Sequence, residues 1–445
     1  MPKHTDFDTI VAIATPYGRG GVGVVRVSGL DLSLFILALL GKRLVPRYAT
    51  LSKLFDADNH LLDQVLAIFF ISPHSYTGED VLELHGHGSP VGLGAIVQRC
   101  LQLGARLALP GEFTQRAFLN DKIDLAQAEA VADLIDASSV QAVHSAMRSL
   151  NGEFSLQVQR VVDALIALRG HIEAMLDFPE EAVDFLHSLN ILARLQALQK
   201  QLLQVQHVAQ QGSLLREGIH VALIGQPNVG KSSLLNRLAG EELAIVTEYA
   251  GTTRDTIHET VVFKGVSVNI IDTAGLRDTH DPIEKIGIAR TWQTIARANV
   301  ALLLMDAQHG MGAAEQDIIA KLPVSMVRIC VHNKADLLAL IPDESSNECY
   351  ISAKTGFGIA SLVDKVLVLA GWQDMEGGVF MARQRHVSAI VAALKHMDSA
   401  AQLSTALELM AEELRNAQLA LSDITGRFGA DDLLGEIFSS FCIGK

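Results

Sequence analysis

The segment Gly225-Gln226-Pro227-Asn228-Val229-Gly230-Lys231-Ser232 constrains this chain more than any other. It has the phosphate-loop pattern GxxxxGK[ST], stands behind the apolar run at 221–224 and opens a helix-forming stretch from Ser233 to Leu238. Glycines let backbone N–H groups turn inward around phosphate oxygens at a helix N-terminus. Lys231 supplies positive charge to the β and γ phosphates, and Ser232 a ligand for Mg²⁺. The stretch implies an α/β nucleotide-binding domain.

Three further motifs follow in the order such a domain requires. Asp272-Thr273-Ala274-Gly275 closes an apolar strand; the carboxylate can hold Mg²⁺ through water and the Gly275 N–H can meet the γ phosphate. Asn333-Lys334-Ala335-Asp336 follows the apolar strand at 327–331, and the Asp336 carboxylate can accept the guanine N1–H and 2-amino group together. Adenine lacks that donor pair, so the motif selects GTP over ATP. Ser352-Ala353-Lys354 follows the last strand, read as 350–353, with the Ala353 N–H expected to reach guanine O6.

Between the phosphate loop and Asp272 lies Thr247-Glu248-Tyr249-Ala250-Gly251-Thr252-Thr253-Arg254-Asp255. Its hydroxyls suit a switch loop closing on Mg²⁺ and the γ phosphate. Thr253 is the first choice for the Mg²⁺ ligand and Thr252 the competitor. Many GTPases place a Gln after the DxxG glycine to orient the attacking water. Here that position is Leu276, which cannot do so. Glu284, near a helix start, is the candidate for orienting water indirectly; a helix-capping acid is the alternative. No arginine finger is evident. The Asn228 side-chain oxygen suits a monovalent cation such as K⁺ facing the β–γ bridge, unless Asn228 only shapes the loop.

The remainder of the chain has other textures. With 445 residues, about three domains are expected at roughly 100–200 residues each. Residues 1 to about 120 carry strand-like runs at 9–14, 22–27, 64–71 and 81–85, an α+β pattern. From 123 to about 211 the texture is helical, with Ala126, Ala130, Val131, Leu134 and Ile135 at helical spacing. An α/β segment follows at about 218–372, with strands at 220–225, 257–263, 266–272, 300–306, 327–333 and 350–353 and a Lys264-Gly265 hairpin turn. Helical texture returns from 386 to about 422. The α/β domain is either inserted in one helical domain or separates two.

The formal net charge of −14 argues against a chain that coats nucleic acid through bulk charge. The four cysteines, Cys100, Cys330, Cys349 and Cys442, show neither zinc spacing nor a disulfide framework. No signal peptide or membrane-length apolar run is evident, so a soluble, cytoplasmic protein is expected. His85 and His87 have the spacing of a ligand pair, but no carboxylate or Cys completes a metal site in the sequence.

Several longer runs carry a family resemblance: 8–16 (DTIVAIATP), 20–29 (GGVGVVRVSG), 76–88 (YTGEDVLELHGHG), 110–120 (PGEFTQRAFLN), 122–130 (KIDLAQAEA), 250–255 (AGTTRD) and the terminal 441–445 (FCIGK). Over nearly its whole length the chain resembles the tRNA-modification GTPases of the MnmE (TrmE) family. The resemblance implies an N-terminal folate-binding and dimerisation domain (1–120), a helical domain (121–216 and 374–445), and a Ras-like P-loop GTPase domain (217–373) inserted in it. It also implies a homodimer that works with an FAD-dependent MnmG (GidA)-like partner on the wobble uridine of tRNA. The product is a 5-carboxymethylaminomethyl or aminomethyl group, built with a one-carbon unit from 5-formyl- or methylene-tetrahydrofolate. The resemblance further implies that hydrolysis is activated when G domains dimerise around K⁺.

By the same resemblance the K⁺ ligands map onto Asn228, Thr247, Tyr249 and Thr252, the Mg²⁺ ligands onto Ser232 and Thr253, and the catalytic acid onto Glu284. The folate contacts map onto Arg26, Glu83, Lys122 and Lys445, and Cys442 reaches the modification site. At Asp121 the chain departs from the family form, which often has Gly there. A regulatory switch in ribosome assembly is the competing reading, and the 1–120 domain together with the terminal motif distinguishes the two.

Overall fold

The computed structural model describes residues 8–177, 190–240, 259–272, 292–324, 326–343, 345, 347–373, 378–426, 437, 438, 441 and 444. The chain divides into two compact units, residues 1–132 with 418–445 and residues 133–417.

The first unit contains β1 (Ile10–Ile13), β2 (Gly20–Gly29), α1 (Ser33–Leu40), β3 (Thr50–Phe55), β4 (Leu61–Phe70), β5 (Asp80–Gly88), α2 (Pro90–Gln102), β6 (Arg106–Leu107) and α3 (Glu112–Leu119); the division between units then falls within α4 (Leu125–Ile135). Its six-stranded sheet has the order β3-β4-β5-β2-β1-β6. The pairing is antiparallel except between β1 and β6. Alternate residues Val25, Val27, Leu82 and Leu84 bury one face against Ile36 and Leu39 of α1 and Leu93, Ile96 and Cys100 of α2. Burial pushes the Cys100 thiol up to about 12, so it packs as a small hydrophobe. Strand β3 is not among the strands expected from the sequence. It is an edge strand with Leu51 and Lys53 on its exposed side, which weakens the apolar alternation that marks a strand.

The second unit contains α5 (Val140–Leu150), α6 (Glu153–Asp177), α7 (Ile191–Glu217), β7 (Ile219–Gly225), α8 (Lys231–Ala239), β8 (Glu259–Phe263), β9 (Val266–Asp272), β10 (Val300–Asp306), α9 (Ala313–Lys321), β11 (Val327–Asn333), a 3-10 turn (Ala335–Leu337), β12 (Glu348–Tyr350), α10 (Ile359–Leu369) and α11 (Gln384–Gln402). The other division falls within α12 (Leu407–Thr425). The sheet order is β12-β11-β10-β7-β9-β8, parallel throughout except for the β8–β9 hairpin. This is a Ras-like order, with helices covering the sheet. In the hairpin turn both Lys264 (φ +48°) and Gly265 (φ +80°) are left-handed, as a type I′ turn demands. Ser139 Oγ donates to Gly265 O at 2.6 Å, which docks the hairpin on the start of α5.

The last strand is shorter and earlier than the expected 350–353. β12 stops at Tyr350 because the chain turns at Ser352, whose N–H donates to Phe357 O at 3.0 Å.

The helices before and after the α/β sheet form one body. Phe154 of α6 stacks on Phe380 at 4.6 Å, Ser149 Oγ donates to Met381 O at 2.8 Å, and Gln199 of α7 donates to Asp398 of α11 at 2.8 Å. The α/β domain is therefore an insertion. Asp133 Oδ1 accepts from Arg216 Nε and Arg383 Nη2, both at 2.8 Å, so one buried carboxylate holds the chain where it runs into the sheet and where it returns. Charge-assisted bonds of this kind are about twice as strong as neutral ones. Gln211, buried on α7, adds a neutral pair: it donates to Gly371 O at 2.8 Å and accepts from Gln373 N at 2.9 Å. Among the described residues no helix is long and apolar enough to cross a membrane.

Candidate functional site

The neighbours of β7 are β9 on one side and β10 on the other, so the connections reverse direction there. A crevice opens at the carboxyl ends of parallel strands at such a point. The phosphate loop lies in it, between β7 and α8. Gly230 has φ +99°, and a Cβ there would stand 2.2 Å from Asn333 Nδ2; conformation and space both require glycine. Asn228 is also left-handed, at φ +65°, a region that Asn tolerates, and its side chain is exposed. Buried Val229 anchors the loop in the core. Lys231 Nζ donates to Gly225 O at 2.7 Å and Gln226 O at 3.0 Å, which folds its ammonium over the loop. Ser232 and Ser233 are exposed in the first turn of α8. Helix-end N–H groups, an ammonium and a nearby hydroxyl fit phosphate and Mg²⁺ together.

The base side is built on β11 and β12. Asn333, 3% exposed at the end of β11, donates from Nδ2 to Val229 O at 2.8 Å, and its Oδ1 accepts from Ala353 N at 3.0 Å. One amide thus straps the phosphate loop to the loop after β12. Lys334 Nζ meets Asp306 Oδ2 at 2.7 Å, and that hydrogen bond holds the Asp306 carboxyl below the usual carboxylate range. Asp336 is exposed on the 3-10 turn. Ser352 is fully buried and its Oγ accepts from Thr355 N at 3.1 Å. The Ala353 N–H, expected at guanine O6, is donated instead to Asn333.

Sequence reading missed Arg237. It donates from α8 to Ala353 O at 3.1 Å and Lys354 O at 2.6 Å. A basic residue in the last turn of a helix ordinarily reads as a partner for the helix dipole, so nothing in the sequence marked it.

The first unit holds a second cluster. Arg26 and Glu83 are register partners on β2 and β5. Arg26 Nε and Nη2 reach Glu83 Oε1 at 3.0 and 2.9 Å, and His85 Nε2 lies 3.1 Å from Glu83 Oε2. The Arg26 guanidinium also lies over the rings of Tyr76 and Phe113 at 5.4 and 5.8 Å. Its Nη1 stands 3.5 Å from Gly444 O, at the outer limit of a hydrogen bond, which brings Gly444 to the cluster. Lys122 is held elsewhere, donating to Pro73 O at 2.9 Å. His87 pairs with Asp63 at 2.7 Å.

Asp272 closes β9. Thr247, Glu248, Tyr249, Ala250, Gly251, Thr252, Thr253, Thr273, Ala274, Gly275, Leu276, Glu284, Cys442 and Lys445 lie outside the described residues.

A family model described as the MnmE helical domain matches residues 125–442, and one described as the GTP-binding protein TrmE N-terminus matches residues 9–122. The chain belongs to the MnmE (TrmE) family. It is similar to the tRNA modification GTPase MnmE of Thiobacillus denitrificans, 56% identical over 438 residues and 98% of each chain. It is likewise 56% identical over 442 residues to the tRNA modification GTPase MnmE of Chromobacterium violaceum, again with 98% of each chain covered. Among solved structures it is similar to a variant of Aquifex aeolicus Era bound to GDP·AlF4⁻, at 25% identity over 40% of this chain and 66% of that chain, with a TM-score of 0.28. The resemblance leads to the expectation of Gly at position 121, and the backbone there has a physical reading. Asp121 sits at φ +54°, a left-handed position that favours Gly and that Asp accepts better than most residues.

Proposed function

We propose that this chain is a GTP hydrolase acting in tRNA modification. The observation that carries the reading is the Asn333 strap, which ties Val229 of the phosphate loop to Ala353 of the base loop in a chain 56% identical to tRNA modification GTPases. In this reading Lys231 brings its ammonium to the β and γ phosphates, and Ser232 and Thr253 hold Mg²⁺. Asp336 accepts the guanine N1–H and 2-amino group. Asn228, Thr247, Tyr249 and Thr252 hold a K⁺ that supplies positive charge at the β–γ bridge, and Glu284 orients the attacking water through an intermediary.

The wider reading follows the family. Residues 1–120 form the folate-binding and dimerisation domain, 121–216 and 374–445 the helical domain, and 217–373 the GTPase domain. Arg26, Glu83, Lys122 and Lys445 bind a tetrahydrofolate that donates one carbon. The Arg26–Glu83–His85 cluster supports this, since a partly exposed carboxylate beside a guanidinium suits the amino and N–H edge of a pterin. With an FAD-dependent MnmG-like partner, the homodimer places a carboxymethylaminomethyl or aminomethyl group on C5 of the uridine at position 34, with Cys442 at the modification site.

Two experiments test this. In cells lacking the protein, nucleoside analysis of bulk tRNA is expected to show the modified wobble uridine lost; unchanged tRNA with defective ribosome assembly would replace this reading with the switch. For the purified chain, GTP turnover in K⁺ is expected to exceed that in Na⁺ at matched ionic strength by at least about tenfold, and to rise with protein concentration. Equal rates at all concentrations would remove the cation and dimerisation parts.

A further inference from the structure

We propose that Arg237 is a positioning residue for base recognition, turning the Lys354 N–H toward guanine O6. The inference rests on the GTP reading above and adds to it a residue outside the phosphate-loop, NKxD and SAK motifs.

Three successive peptide units set the direction of this N–H. In a planar trans peptide the carbonyl and the following N–H point in opposite directions. Arg237 Nε draws the Ala353 carbonyl toward α8 at 3.1 Å, so the N–H of Lys354 in that same unit points away from α8. Arg237 Nη2 draws the Lys354 carbonyl the same way at 2.6 Å. The flanking donors are already used. The Ala353 N–H goes to Asn333 Oδ1 at 3.0 Å, and the Thr355 N–H to Ser352 Oγ at 3.1 Å. The Lys354 N–H donates to nothing among the described residues. Lys354 is exposed, so its N–H, lying between two occupied donors and pointing away from α8, is open to a ligand in exchange for water.

The fork of the guanidinium suits this work. It binds two carbonyls at a fixed separation, which a lysine ammonium cannot do. The loop is closed beneath it by Gly356 N to Ser352 O at 2.8 Å, and Gly356, at φ +88°, leaves 3.9 Å between its Cβ position and Arg237 Cζ. Ala353 is thus gripped through its N–H by Asn333 and through its carbonyl by Arg237. Because Arg237 belongs to the helix that begins with Lys231, the same rigid element bears on the phosphates and on the base.

The test uses nucleotides that differ at one edge. 6-Thio-GTP keeps the N1–H and 2-amino edge and replaces O6 with sulfur, a weak acceptor. ITP keeps O6 and lacks only the 2-amino group. For the full chain, Arg237→Ala is expected to weaken GTP binding roughly 3- to 10-fold, the size of one neutral hydrogen bond. 6-Thio-GTP should weaken less than about twofold, and the GTP-to-ITP ratio should hold, since Asp336 reads that difference. Arg237→Lys should recover part of the loss and serves if the alanine variant melts early. Equal weakening of GTP and 6-thio-GTP, or no weakening of either, overturns the proposal. A wild-type chain that prefers no guanine nucleotide at all would instead bring down the GTP reading, and this inference with it.

Discussion

Lys231→Ala is expected to lower GTP turnover by at least about 100-fold, a loss of roughly 2.7–4 kcal/mol of transition-state stabilisation. Two effects combine. The ammonium no longer offsets charge on the β and γ phosphates. The loop also loses the brace to Gly225 O and Gln226 O at 2.7 and 3.0 Å. Lys231→Arg should not restore the rate, because a planar fork does not reproduce the compact, point-like ammonium contact. Phosphate release at saturating GTP measures this, with GDP affinity as the control for the loop. A rate within about threefold of wild type would mean that Lys231 is not the phosphate-charge partner.

Asp336→Asn is expected to weaken GTP binding by at least about 100-fold while leaving the fold intact. Two charge-assisted hydrogen bonds, each worth about 1.5–3 kcal/mol, are replaced by an amide that cannot accept both donors. Asp336 is exposed on its 3-10 turn, so its effect on folding should stay within about 0.5 kcal/mol, which separates recognition from stability. Xanthine offers an oxygen where guanine has the 2-amino group, so the variant should bind xanthosine triphosphate better than the wild type does. Competitive titration of the two triphosphates reads both effects. Unchanged GTP affinity would remove Asp336 from base recognition.

Much of the inserted α/β domain was legible in the sequence, for one physical reason. Strands β9, β10 and β11 run over the expected residues because they are interior strands of the sheet and carry its core: residues 300–305 of β10 form one continuous buried apolar run, and β9 and β11 bury Val266, Val268, Ile270, Ile271, Ile329 and Val331. The phosphate loop was legible because it must combine glycine, lysine and a hydroxyl at one spacing. Strands at the edges were less so. β3 went unread and β12 was placed too late, since an edge strand is half polar and its length depends on where its partner ends. The helical stripe was only partly right: Ala126 and Ala130 are buried, whereas Ile135 is 43% exposed.

The candidate site divides along the same line. Which residues we propose to meet the phosphates and the base could be read from short motifs, because each motif is a single turn whose chemistry is local. The glycine at 230, the lysine at 231 and the carboxylate at 336 stand where those turns need them. How the turns are held together was decided by tertiary structure. The Asn333 strap, the redirected Ala353 N–H, the Arg237 fork and the pairing of Arg26 with Glu83 join residues far apart in the chain. Such contacts are set by sheet register and helix packing, and neither composition nor periodicity carries that information.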